Sequence, residues 1–167
     1  DDSVVINSVR FHGTTLWTDM DNYDMKTVLS ASIIVKDYKK IKESYLGIPF
    51  TPAQSYIIHN KSKKEIIKCL EESKEPVIIV SHHLPSYKSV VPKYKNFVAI
   101  GSFVSNLDDL VTKAHTWIHG HTHVSLDYYI DLAWTESCNG VLLKFSIFLW
   151  CTACAICFSG RGSGRLV

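Results

Sequence analysis

The residues best suited to chemistry are two histidine clusters, Gly120-His121-Thr122-His123 and His82-His83. The first follows Thr116-Trp117-Ile118-His119, and the second closes the apolar run Val77-Ile78-Ile79-Val80, with Pro85 two residues beyond. Neutral imidazole is a common ligand for zinc, iron and manganese, and it shares sites readily with carboxylates. Histidines two apart behind a glycine can send both rings into one space, because a residue without Cβ lets the backbone bend tightly. His82, His121 and His123 are therefore expected to be metal ligands. His83 and His119 each neighbour a ligand position and are expected either to orient a ligand or contact substrate, or to be plain strand-end residues. His12, His59 and His115 stand alone in the sequence, and a structural role is expected for them.

Such ligands must be delivered by separate strands, and the chain supplies candidates. The run 77–81 is continuously apolar, as in a strand buried on both faces. A second strand is expected at 116–119 and a third over 124–130. Before them, 4–6 and 9–17 read as a hairpin across Asn7-Ser8, and 24–40 reads as an irregular helix. Thr51-Pro52-Ala53-Gln54 combines a capping residue, a proline at the first helical position and a glutamine three residues on. The helix it opens should run to about Ser73, burying Ala53, Ile57, Ile66, Ile67 and Leu70, with the polar stretch 59–64 as a place where it could break. A polar loop over 84–102 suits the mouth of an active site, and 106–111 suits a short helix. Helix, strand, helix, strand between 52 and 119 predicts an α/β layer.

The chain has 167 residues with 18 basic and 16 acidic side chains, a net charge of +2. That balance gives no nucleic-acid signature. Cys69, Cys138, Cys151, Cys154 and Cys157 form no disulfide framework, so a reducing, cytoplasmic compartment is expected. The opening Asp1-Asp2-Ser3, without an initiator methionine, reads as entered partway through something longer.

At this point the residues resemble a known family, the calcineurin-like metallophosphoesterases. The stretch 77–86, ending Ser81-His82-His83-Leu84-Pro85-Ser86, is similar to that family's fourth metal motif, and Gly120-His121-Thr122-His123 to its closing Gly-His-x-His motif. Further similarity lies in 11–19, 37–41 and Thr51-Pro52-Ala53, so the resemblance spans roughly residues 3–130. It implies an α/β fold, part of a sandwich of two β-sheets flanked by helices and truncated at the amino terminus. By the resemblance, His82 and His121 would bind one ion of a manganese, iron or zinc pair and His123 the other. The implied reaction is hydrolysis of a small-molecule phosphoester by hydroxide held between the ions.

The family's three amino-terminal motifs, Asp-x-His, Gly-Asp and Gly-Asn-His, are absent from this chain. Asp19 and Asp21 are not read as replacements for the bridging aspartate. Without a carboxylate two cations would repel each other across a gap that neutral imidazoles cannot screen. Reduced or single occupancy and weak or no turnover are expected, and the alternative is a non-catalytic metal-binding or regulatory remnant.

Residues 1–130 are thus read as the carboxyl-terminal part of a metallophosphoesterase domain, and 131–167 as a divergent apolar, cysteine-rich tail. Within the tail, 141–158 is apolar with one charge and reaches the lower edge of a membrane span. Membrane association through it is the alternative localisation. Cys151-x-x-Cys154-x-x-Cys157 invites an iron–sulfur or zinc reading but lacks the remaining ligands of such sites. A tail replaced by an altered exon end or reading frame is the plainer expectation.

Overall fold

The computed structural model describes residues 1–42 and 47–137. Its strands are β1 (Asp2–Ile6), β2 (Val9–Thr14), β3 (Val77–Ser81), β4 (Thr116–His119), β5 (Leu126–Ile130) and β6 (Ala133–Ser137). They form one six-stranded mixed sheet in the order β1-β2-β3-β4-β6-β5. Neighbours among β2, β3, β4 and β6 run parallel, while β1 and β5 are antiparallel edges. The chain is therefore α/β, with helices flanking the sheet. A second sheet is not found among the described residues.

Local sequence explains most of these elements. Asn7 and Ser8 both adopt positive φ, 50° and 61°, the backbone of a two-residue hairpin turn whose twist matches its strands. β3 is buried along its whole length, as its uninterrupted apolar run requires. The sheet also takes in β6, beyond residue 130, and inserts it between β4 and β5.

The helices are α1 (Met20–Tyr23), α2 (Met25–Ile34), α3 (Asp37–Lys40), α4 (Pro52–Glu72) and α5 (Asp108–Val111). α1 is a single turn in which every residue has positive φ, from 56° to 61°. α2 starts at Asp24, whose carboxylate accepts from the Thr27 amide. Val35 ends it in an extended conformation, so the expected 24–40 helix is two pieces.

α4 opens with the expected capping box, Thr51 and Gln54 each accepting from the other's backbone amide, and it runs unbroken through 59–64. Its buried face differs from expectation. Pro52, Ser55, His59, Ser62 and Ile66 are buried, whereas Ile57 is 66% exposed. The buried positions advance by three or four residues, one stripe of a 3.6-residue helix, and Ile57 lies off it. The buried polar side chains find partners: Ser55 Oγ accepts from the Tyr38 hydroxyl at 3.3 Å, and His59 Nδ1 donates to the Leu16 carbonyl at 3.1 Å.

The main core joins Leu16, Ile66, Ile79, Val111, Trp117 and Ala133. A smaller cluster of Ile78, Val80 and Ile118 comes from alternate positions of β3 and β4, with Val9 and Phe11 against it. No described helix is long and apolar enough to cross a membrane. The 141–158 run and Cys138, Cys151, Cys154 and Cys157 lie outside the described residues.

Candidate functional site

Parallel strands aim their carboxyl ends at one edge, and here those ends fall in register. Thr14 pairs with Ser81, Ser81 with His119, and His119 with Ser137. The crevice beyond such an edge is where open α/β sheets bind ligands. Two of the chains leaving it carry the histidine clusters. The amides of His82 and His83 donate to the carbonyls of Thr14 (3.2 Å) and Thr15 (3.3 Å), extending the β2–β3 pairing past the strands. The Gly120 amide donates to Ser81 and His82 carbonyls at 3.3 and 3.2 Å.

The outcome is an edge-on imidazole pair, its ring planes at 68°, with His82 Nε2 and His121 Nδ1 2.9 Å apart. A neutral imidazole carries one N–H, so one ring donates to the other's lone pair. Burial pushes the His121 pKa down to about 3, with His82, His123 and His119 acting in the same direction. Burial also lowers His82, reinforced by His123 and opposed by the carboxylate of Asp37. Both rings are therefore neutral near pH 7, the form that ligates metal.

The bend that aims His121 does not sit where the sequence suggests. Gly120 has no left-handed φ, and a Cβ built there would make ordinary contacts of 3.7 Å with His82. His121 and His123 themselves carry positive φ, 70° and 54°. Left-handed backbone costs an L-residue roughly 1–2 kcal/mol and gathers at functional sites.

The remaining histidines divide. His83 is buried, and its Nδ1 donates to the Thr15 carbonyl at 3.1 Å. Its ring lies between those of Trp17 and His121, with centroids at 4.9 and 4.6 Å. It packs directly beneath one member of the pair. His119 is buried as well: its Nδ1 donates to the Gly120 carbonyl (3.0 Å), which leaves Nε2 to accept from Ser89 Oγ at 2.7 Å. The Tyr128 hydroxyl then donates to Ser89 Oγ at 2.6 Å. This chain of bonds ties β5 and the 84–102 loop to the base of the histidine loop. His123 is exposed and not joined to the pair by a hydrogen bond.

Asp19 and Asp21 have structural duties. The Asp19 carboxylate accepts from the Asp21 amide and from Ser105 Oγ, both at 3.1 Å. Asp21 packs on Gly101, where a Cβ would come within 2.9 Å of the aspartate's own Cβ. His12 and His59 are buried and His115 is exposed.

The loop over 84–102 folds into short 3₁₀ turns at Tyr87–Ser89, Pro92–Tyr94 and Ile100–Ser102. With His121 and His123 it encloses a cavity of about 310 Å³, whose other walls include Leu84, Val90, Phe97 and Phe103. The Phe103 ring stacks on His121, with centroids 5.0 Å apart and planes at 30°. Neither Phe103 nor the Ser89–Tyr128 chain carries a signal in the sequence, since an aromatic or a serine in a loop fits many roles.

Ligand nitrogens about 2.0–2.1 Å from one ion lie about 2.9 Å apart when at right angles, which is the spacing of the His82–His121 pair. Tetrahedral ligands would lie about 3.3 Å apart, so the pair suits two adjacent positions on a single ion only at right angles and once the ring proton they share has left. Among the described residues no group of three or more His, Cys, Asp and Glu side chains is placed to hold a metal. No family model, curated protein or solved structure matches this chain.

Proposed function

We propose that the chain supplies the histidine wall of a metal-dependent phosphoester hydrolase site of the calcineurin-like kind. On its own it holds one ion weakly, through His82 and His121, and turns phosphoesters over negligibly. The observation that carries this reading is the 2.9 Å approach of two neutral imidazoles at the carboxyl edge of a parallel sheet. Manganese, iron and zinc all accept such ligands. When bound, the ion would act as a Lewis acid toward a phosphoryl oxygen. The chain's own contribution is to hold both rings neutral and fixed, with His83 packed beneath His121 and His119 anchoring the loop.

Limited activity follows from the charges. Among the described residues Asp37 is the one carboxylate acting on the His82–His121 pair, and it does so without a hydrogen bond to either ring. A second cation about 3.5–4 Å away would lack the shared negative charge that makes a two-ion site stable. The same shortage favours a second reading, a non-catalytic metal-binding remnant of the fold. A reducing cytoplasm, where a thiol such as Cys69 stays free, suits either.

Elemental analysis after equilibration with Mn²⁺ or Zn²⁺, run beside hydrolysis of an activated phosphodiester, tests the proposal. One ion per chain with turnover near background is expected. Two ions with robust turnover, or none at all, would overturn it.

A further inference from the structure

The wall of the cavity beside His121 is almost wholly hydrocarbon: Leu84, Val90, Val91, Phe97, Ile100 and Phe103 contribute to it. Its polar groups are few and largely engaged. Ser89 Oγ already bonds His119 and Tyr128. Thr122 Oγ1 donates to the Val124 carbonyl at 3.0 Å and lies 2.7 Å from Ser137 Oγ. Tyr94, 47% exposed, carries the ammonium of Lys93 4.6 Å from its ring centroid. Among the described lining residues the imidazoles are those of His121, whose Nδ1 is already paired with His82, and His123.

We infer that this cavity receives the apolar, ring-sized part of a phosphoester whose phosphate lies at His121 and His123. The inference rests on the phosphoester reading above and adds the class of substrate to it. Size supports it. An apolar cavity of about 150 Å³ suffices for benzene, so about 310 Å³ holds a substituted ring. Phe103, already stacked on His121, offers a face for offset stacking.

The same wall discriminates against nucleotides. A purine or pyrimidine carries several donors and acceptors that must find partners once out of water. Ser89 and Thr122 have spent their hydrogens on protein acceptors, so on this lining only the Tyr94 hydroxyl and the His121 and His123 rings remain to partner a base, fewer groups than a base presents, where a hydrocarbon ring loses nothing.

Binding of phenylphosphonate, methylphosphonate and adenosine monophosphate can be compared by nuclear magnetic resonance titration of the full chain, with and without Mn²⁺. Phenylphosphonate should bind at least about tenfold tighter than methylphosphonate, from the apolar area the ring buries. Adenosine monophosphate should bind no tighter than methylphosphonate. Val91→Phe, which adds bulk to a half-buried wall position, should remove the preference for phenylphosphonate while leaving methylphosphonate and Mn²⁺ binding unchanged. Equal affinity for phenyl and methyl probes in the unmodified protein, or a nucleotide binding as well as the phenyl probe, would overturn the inference. Ring selectivity that persists with no Mn²⁺ bound would uphold the pocket, and failure of Mn²⁺ to bind at all would count against the phosphoester reading alone.

Discussion

His82 Nε2 and His121 Nδ1 meet at 2.9 Å across a separation of 39 residues in the chain. They do so because β3 and β4 are parallel neighbours that end in register at Ser81 and His119. Each histidine lies just past its strand, so the sheet fixes their distance more than any local loop preference does.

Replacing either ring should remove half of the donor set. His82→Ala and His121→Ala are each expected to weaken Zn²⁺ or Mn²⁺ binding by at least about 100-fold, beyond the loss typical of outer residues. His123→Ala, at an exposed position, should cost less than about tenfold. Isothermal titration calorimetry on the three variants checks the ranking, and a larger loss for His123→Ala than for the other two would reverse the assignment.

The two glycines nearest the site should behave oppositely. Gly101→Ala puts a Cβ 2.9 to 3.0 Å from Asp21 and Thr27 atoms, backbone included. Overpacking of that kind costs about 1–3 kcal/mol. Gly120→Ala meets only ordinary contacts at 3.7 Å and should change stability by less than about 0.5 kcal/mol. Urea unfolding of both variants distinguishes them.

The Tyr128–Ser89–His119 chain predicts an asymmetry. Ser89→Ala strands a buried His119 Nε2, a loss of about 1–3 kcal/mol. Tyr128→Phe leaves the Ser89–His119 bond intact and should cost only about 1 kcal/mol. Equal losses from the two substitutions, measured by chemical denaturation, would show that the bond to His119 carries no special weight.

Acid should destabilise the fold through its buried histidines. Burial lowers His119 to about 4 and drives His83 well below its ordinary value. Between pH 6.5 and 4 the unfolded chain therefore binds protons that the folded chain refuses. Stability is full above pH 6.5 and falls as pH drops. For His119 alone the loss from pH 7 to pH 5 is about 2 kcal/mol. His119→Gln should flatten that part of the pH dependence, and an unchanged slope would reassign it to other groups.

The sequence made the strands and the capped helix legible because each rests on short-range chemistry. Continuous burial of β3 shows as an unbroken apolar run, and the Thr51–Gln54 box shows as residue types at fixed spacing. The buried stripe of α4 was not legible, since Ser55, His59 and Ser62 are polar and their burial depends on what lies opposite. β6 was missed for the reverse reason: Ala133-Trp134-Thr135-Glu136-Ser137 alternates weakly, and only its place between β4 and β5 makes it a strand.

The candidate site divides the same way. Spacing marks His82 and His121 as candidates and the structure brings their rings together, but the left-handed backbone at the bend belongs to His121 and His123 rather than to Gly120. Their grouping with His123 as close partners does not extend to a hydrogen bond. Phe103 and Ser89 enter the site only through tertiary packing, which one-dimensional spacing cannot encode.

The central claim is that one ion binds between His82 and His121. Long-range ¹H–¹⁵N spectra of the histidine rings during Zn²⁺ titration test it most directly. The account predicts that His82 Nε2 and His121 Nδ1 shift together and saturate at one equivalent, while His83 and His119 keep their free-protein nitrogen shifts. Saturation with the ring nitrogens of His82 and His121 unmoved would contradict it.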